Sequence, residues 1–429
     1  MGTEPALPRV FVGPIEIAGY YSGLAEALRQ AGLDAVSVDL SGHLFRYAQV
    51  GRTPWPVRAA TATRKRLEAT ATHRWRHRAW MVGDLVARAL LTAWATARFD
   101  VFIFGFGETL FHRRDLPLLR LLRKRLIFVF NGSDARPSYV DGAEMAASLG
   151  RSIDDAIRLA RRKKARLRQI ERYADVIVSQ PAFSHFFEQP IVDFFRVGIP
   201  WTVGGSHLPR RDGGAIRILH SPSNPEVKGS ERIRSTVDAL RAAGHALELV
   251  ELRGVPNDQV RAEIERADFV VDQIYSDAPM VGFATEAAAA GRPAIVGGYA
   301  WPDLDDIYPG AAMPPVEPCH PDHLAEAVLR LATDSEHRRS LGDRARAFVT
   351  TAWAPDAVAA RYLSLIRGEI SPDWLFDPRR LRYVRGVGLT EGRAREIVAE
   401  VLARGGRQAL QLGDKPDVEQ AFVDFAEGG

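Results

Sequence analysis

Two side chains carry the first chemical suggestion in this sequence: Lys228 and Glu286. Each follows an apolar run of strand type. Ile216-Arg217-Ile218-Leu219 precedes the lysine, and Phe269-Val270-Val271-Asp272-Gln273-Ile274 precedes the glutamate. A polar turn, His220-Ser221-Pro222-Ser223-Asn224-Pro225, leads to Lys228-Gly229, and a glycine loop, Val281-Gly282-Phe283, leads to an Ala-rich helix bearing Glu286. Ligands of α/β sheets collect where strands end and helices begin. An ammonium group there suits a phosphate, and a carboxylate suits the hydroxyls of a sugar. The opposing possibility is a surface lysine and a glutamate that only caps a neighbour.

A second polar cluster ends another apolar strand. Arg125-Leu126-Ile127-Phe128-Val129-Phe130 runs into Asn131-Gly132-Ser133-Asp134-Ala135-Arg136. Side chains at the end of a buried strand are placed for ligand contact, although Asn-Gly and Ser-Asp also favour a self-capped turn. Near the start, Arg9-Val10-Phe11-Val12-Gly13-Pro14 reads as a strand ending in a glycine turn. Gly13, Gly19 and Gly23 either admit a ligand to the backbone or merely turn the chain. Their spacing is not G-x-G-x-x-G, so the dinucleotide fingerprint is absent.

The elements that must hold these residues alternate as strand and helix twice over. Further strands are expected at 35–38, 100–104, 175–179, 195–200, 247–250 and 293–296. Helices are expected at 24–30, 55–98, 116–122, 157–173, 231–243, 258–266, 320–332, 335–350 and 355–366. Asn257 is placed to cap the helix that follows it. Residues 201–214 have a linker's composition, with Gly204-Gly205, Pro209 and Gly213-Gly214.

A chain of 429 residues exceeds one ordinary domain, and its 46% hydrophobic and 26% charged residues are those of a globular protein. The net charge of +4 is too small to argue for nucleic acid by itself. One cysteine, Cys319, excludes an intrachain disulfide and fits a reducing compartment. No apolar run reaches the roughly 18 residues that a membrane span needs, and Glu4 with two early prolines does not make a secretory signal. A cytoplasmic location is expected. Basic residues cluster in 64–80 and in 158–172. Both read as solvated or packing helices, with peripheral contact at the inner face of an anionic membrane as the alternative. Gly386-Val387-Gly388 before a helix suggests a helix-hairpin-helix turn, but Ala394 lies two positions too late, so no nucleic-acid partner is expected.

Residues 8–368 resemble the GT-B glycosyltransferases, of the glycosyltransferase family 4 type. The resemblance is carried by Asn131 to Arg136, Ala174-Asp175-Val176-Ile177, His220 to Gly229, Leu252-Arg253-Gly254-Val255-Pro256, Ala267-Asp268 to Gln273, and Gly282 to Pro293. It implies an α/β, GT-B fold: two Rossmann-like doubly wound domains with a C-terminal helical extension. The acceptor-side domain would be 1–200, the linker 201–214, and the nucleotide-sugar domain 215–354. A helix, 355–368, would cross back to the first domain, and 369–429 would form the extension.

The same resemblance implies transfer of a hexosyl-type sugar from a nucleotide-diphosphate donor to a glycan precursor or small metabolite. It implies a retaining, metal-independent reaction with no cofactor beyond the co-substrate. Donor contacts fall to Gly13, Ser223, Lys228, Arg253, Val255, Gly282, Phe283 and Glu286, and catalytic roles to Asn131 and Asp134. Three departures stand out. Asn131 occupies a position where many relatives have histidine; Ala278 occupies that of the first of two glutamates eight apart; and Pro222, Pro225 and Glu226 fill the turn where a basic residue often stands. Arg253 or Arg232 would then supply the missing charge. A GT-B-shaped protein that binds nucleotide or sugar without turnover, or supports a partner, is the competing expectation. A sugar-nucleotide epimerase is a third.

Overall fold

A computed structural model describes residues 7–40, 54–70, 74–201, 214–308 and 313–428. The expected linker at 201–214 lies almost wholly outside the described residues. The first half runs β1 (Val10–Gly13), α1 (Tyr20–Gln30), β2 (Ala35–Ser37), α2 (Trp55–Ala69), α3 (Arg74–Arg98), β3 (Val101–Gly105), α4 (Leu116–Leu121) and β4 (Arg125–Val129). It continues with α5 (Gly142–Met145), α6 (Ile153–Glu171), β5 (Val176–Ser179), β6 (Ile191–Asp193) and α7 (Phe194–Val197). The strands β1 and β3 to β6 are apolar on both faces and almost wholly buried, as a parallel sheet covered by helices requires. Phe11, Phe102, Phe104 and Phe128 pack ring to ring along β3 and across to β1 and β4.

The second half runs β7 (Ile216–His220), α8 (Pro225–Lys228), α9 (Ser230–Ala242), β8 (Leu247–Glu251), α10 (Asn257–Arg266), β9 (Phe269–Gln273) and α11 (Gly282–Ala289). After β10 (Ala294–Gly297) come α12 (Leu304–Ile307), β11 (Glu317–Cys319), α13 (Leu324–Thr333), α14 (Ser335–Thr351) and α15 (Pro355–Arg367). The chain ends with β12 (Leu375–Phe376), α16 (Glu391–Gly405) and α17 (Pro416–Glu427).

The sheets have orders β12-β6-β5-β4-β3-β1-β2 and β11-β10-β9-β7-β8. Ignoring β12, each is parallel, and in each the first strand is flanked by the second and third. This is the doubly wound arrangement, so each half has one crevice where the order reverses, β1/β3 in the first and β7/β9 in the second. Two Rossmann-like sheets with a helical extension form the GT-B type of layout.

The last helix of the second half returns to the first. Tyr362 of α15 shares a 2.7 Å hydrogen bond with Tyr20 of α1, and Arg125 of β4 donates to the Leu365 carbonyl at 2.9 Å. The extension is built into both halves. β12 pairs antiparallel with β6, Lys164 of α6 binds Asp414 at 2.9 Å, and Val387 bridges Asp141. The Gly386-Val387-Gly388 stretch is a buried strap rather than a hairpin turn. Both glycines have positive φ, and a Cβ on Gly386 would stand 2.0 Å from the Val140 carbonyl oxygen.

Three local expectations change. The helix at 55–98 is two helices packed antiparallel, with Arg66 over the Trp80 ring at 4.7 Å and His77 against the Leu67 carbonyl at 3.2 Å. The expected strand at 195–200 begins instead as α7, because the Asp193 carboxylate accepts the Phe195 N–H at 2.9 Å and starts a helical turn. The basic stretch at 157–173 is only partly a solvated face. Lys163 and Lys164 of α6 are buried, the first on the Ser133 and Arg136 carbonyls and the second on Asp414.

Candidate functional site

The β7/β9 crevice holds Lys228. Asn224 accepts the N–H groups of Glu226 and Val227 and so starts the single turn α8, which Gly229 ends in the left-handed region. That turn carries the lysine over the end of β9, where its Nζ donates to Asp272 Oδ1 at 2.8 Å and Gln273 Oε1 at 2.9 Å. Asp272 is buried, and its Oδ2 has no hydrogen-bond partner. His220 closes the crevice floor, tied to the Val271 carbonyl and the Ser230 hydroxyl at 2.8 Å each.

Beside the crevice lies the start of α11. Gly282 and Phe283 form its first turn rather than a loop, and a Cβ on Gly282 would stand 3.5 Å from Ala18 of the β1–α1 loop. The two halves therefore meet at this helix start, whose N–H groups favour negative charge. One turn on, Glu286 is 8% exposed and accepts a hydrogen bond from the Asn257 amide at 2.8 Å. Burial pushes its carboxyl up to about 7, opposed by that hydrogen bond and the charge of Arg261 and helped by Asp272. Asn257 spends its side chain on Glu286, so Pro256, not Asn257, stands at the cap of α10.

The other residues expected on the donor side are more scattered in their roles. Ser223 is exposed and Val255 half-buried. Arg253 is ion-paired with Glu251, which also pairs with Arg234, and so brings little spare charge to the crevice. Arg232 reaches away to Asp322 at 2.8 Å. Gly13 has φ 141°, and a Cβ there would lie 2.2 Å from the Val38 carbonyl oxygen, so packing inside the sheet accounts for the glycine.

In the first half the crevice at β1/β3 is filled by the protein itself. The Glu16 carboxylate accepts the N–H groups of Ile17, Tyr21 and Ser22, occupying the start of α1 where an external anion would bind. The Tyr21 ring covers Gly105 at the end of β3, and its hydroxyl donates to Asn131 Oδ1 at 2.7 Å. Asp134 is buried and turns its carboxylate to the Asn131 and Gly132 N–H groups. Asn131 and Asp134 thus shape their own loop, and desolvation raises the Asp134 pKa.

Asp277, next to Ala278, is also engaged. Its carboxylate accepts from the Tyr383 hydroxyl at 2.6 Å and the Ala300 N–H at 2.8 Å, and burial pushes it up to about 6. The sequence reading missed Asn257, Asp272 and Tyr383 as partners. Asp272 carried a usable signal, an acid in the last turn-facing positions of an otherwise apolar strand. Tyr383 carried none, because it lies more than 100 residues from the carboxylate it serves.

No family model matches the chain, and no curated protein matches it. Among solved structures it is similar to Anabaena Alr3699/HepE in complex with UDP and glucose, at 9% identity and TM-score 0.46, over 84% of this chain and 100% of that one. It is also similar to the glycotransferase of kitacinnamycin, at 14% identity and TM-score 0.44, over 84% and 100%. CalG4, the calicheamicin glycosyltransferase, aligns at 16% identity and TM-score 0.41, over 85% and 100%.

Proposed function

We propose that this chain transfers a hexosyl-type sugar from a nucleotide-diphosphate donor to a glycan precursor or small metabolite, with retention and without a metal. The observation that carries the reading is Lys228 at the strand-order reversal of the second sheet, beside the helix start at Gly282-Phe283. A leaving diphosphate develops negative charge, and an ammonium group with helix N–H groups stabilises it. Glu286, one turn along α11, is the partner for paired ribose hydroxyls. Ser223, Arg253 and Val255 would complete the donor contacts. In this reading Asn131 orients the sugar as a neutral donor and acceptor, Asp134 fixes its loop, and the donor phosphate takes the acceptor's proton. A thermal-shift screen of UDP, GDP, dTDP and ADP tests the binding, and release of free sugar from the matching sugar nucleotide tests the chemistry. No stabilisation by any of the four would sink the reading.

A second reading, nucleotide or sugar binding without turnover, has its own support. Lys228 is already neutralised by Asp272, and Asp277 is held by Tyr383. Stabilisation by a nucleotide with no sugar released from any sugar nucleotide would favour it.

The location we propose is cytoplasmic, with peripheral contact through 64–80 and its continuation along α3. Trp75 is 76% exposed and Val82 63%, with Met81, Leu85, Val86 and Leu90 also exposed along one side of α3. Lys65, Arg66, Arg76 and Arg78 are exposed at the same end of the hairpin. Apolar side chains flanked by cations match an anionic lipid surface. The stretch 158–172 lacks such apolar company, since Leu167 and Ile170 are buried and Leu159 is half-buried. Among the described residues no helix is long and apolar enough to cross a membrane.

A further inference from the structure

The first half contains a cavity of about 680 Å³ at the ends of β3 and β4, lined by Phe106, Ser133, Arg113, Arg151, Arg162 and Arg166 among others. We infer that this cavity takes an oxyanion carried by the acceptor, a carboxylate or a phosphate on a sugar-sized molecule. The inference rests on the transfer reading above and names its acceptor class.

The charge balance is the first argument. Five cationic side chains and two carboxylates line the cavity. Lys163 and Glu144 pair with each other at 3.1 Å, and Asp134 is committed to its own loop N–H groups. Four arginines are left facing the space. Among the described residues Arg113 has only a 3.8 Å approach to Glu108 as its ion pair, and its Nε is buried with no partner. Arg166 gives one Nη to the Asp134 carbonyl, while its Nε is likewise buried and unpartnered. Arg151 donates to the Glu144 carbonyl at 3.1 Å and forms no ion pair among the described residues. An oxyanion in the cavity would meet the terminal Nη groups of these arginines with charge-assisted hydrogen bonds, the strongest kind that they can make.

Geometry is the second argument. Arg162, Arg166 and Gln169 recur at helical spacing, so one stripe of α6 faces the cavity while Lys164 and Arg168 face the other way toward Asp414 and Glu188. The opposite wall is α5, and the chain just beyond it gives the Ala147 and Ser148 N–H groups to Glu226 of the second half. Glu226 lies in the same single turn as Lys228. The cavity wall is thus tied to the element that would hold the donor, which an acceptor subsite requires. The volume lies within the ordinary range for small-molecule sites. The other anion position of the first half, the start of α1, is closed by Glu16.

The test is calorimetry on the full chain with glucose 6-phosphate, glucuronate and glucose. Both oxyanion sugars are expected to bind about tenfold tighter than glucose. That preference should vanish in Arg151→Gln/Arg162→Gln, two rim positions with few contacts, and persist in Arg241→Gln, an exposed arginine of α9 paired with Asp238. Tighter binding of only one sugar identifies the oxyanion as carboxylate or phosphate. Equal binding of glucose, or an unchanged preference in the double variant, would overturn the inference. So would competitive displacement of glucose 6-phosphate by UDP, GDP, dTDP or ADP, because the cavity would then belong to the donor. Oxyanion binding with no nucleotide binding supports the cavity and overturns the transfer reading. Nucleotide binding with no oxyanion preference does the reverse.

Discussion

Glu286 and Asn257 join α11 to the first turn of α10 through a 2.8 Å hydrogen bond, and the carboxyl in that bond is buried. Burial raises its pKa from 4.5 to about 7. The folded chain therefore holds this proton more tightly than the unfolded chain. The associated stability is full below about 4.5 and is lost as pH rises through about 7.

Replacing Glu286 by glutamine keeps an acceptor for Asn257 and removes the titration. At pH 8 the buried charge costs roughly 3 kcal/mol by linkage, so Glu286→Gln should raise the unfolding free energy by roughly 1–3 kcal/mol. At pH 5 it should change little. Urea unfolding at both pH values measures this, and an equal shift at both would show that the carboxyl does not titrate in the fold. In wild type, nucleotide affinity should fall about tenfold per pH unit below about 7, because hydroxyl pairs need the ionised form.

The lysine carries a different signature. Among the described residues, Lys228 alone hydrogen-bonds the Asp272 carboxylate, whose side chain is 1% exposed. Lys228→Met leaves that charge buried alone and should destabilise by about 3–5 kcal/mol. Asp272→Asn in the same chain should recover much of the loss, which a double-mutant cycle reads directly. Asp272→Asn alone frees the ammonium group from a competing charge and should hold or raise nucleoside-diphosphate affinity. A tenfold or larger loss there, about 1.4 kcal/mol, would show that Lys228 does not face the phosphates.

Tyr383 fastens the strap to the second half. Tyr383→Phe leaves Asp277 without its hydroxyl donor and should cost about 1–3 kcal/mol at pH 7. The cost should shrink toward pH 5, because Asp277, pushed up to about 6, is then largely protonated in the folded state. Thermal melts at the two pH values distinguish this from a loss of packing, which would not vary with pH.

Much of this architecture could be read from residue order. The apolar runs of β1, β3, β4 and β9 are too continuous for half-exposed strands, and they mark buried parallel sheets without further help. The positions of Lys228 after β7 and of Glu286 after β9 follow from the apolar runs that precede them. What the sequence hid were contacts between distant segments: Asp277 with Tyr383, and Glu226 with the chain beyond α5. Local patterning constrains which face a residue occupies, but not which remote side chain meets it there. The fate of α6 shows the limit well. Its seven basic residues look alike in sequence, yet they divide between a cavity, a buried pair and solvent according to a helical rotation and a partner 250 residues away.

The α2–α3 hairpin makes the last prediction. Trp75, Val82 and Val86 lie on the exposed side of α3, so Trp75→Ser/Val82→Ser/Val86→Ser should leave the melting temperature within about 2 °C, as surface changes do. The same triple variant should lose sedimentation with vesicles of phosphatidylglycerol and phosphatidylcholine, because burial of those side chains supplies the apolar part of the attraction. Wild-type binding should weaken as salt is raised from 0.05 to about 0.5 M, since Lys65, Arg66, Arg76 and Arg78 act across a shrinking Debye length. Vesicles of phosphatidylcholine alone should bind least. Equal sedimentation of wild type and variant, or of charged and neutral vesicles, would remove the lipid surface from the proposal and leave α3 as a face for another protein.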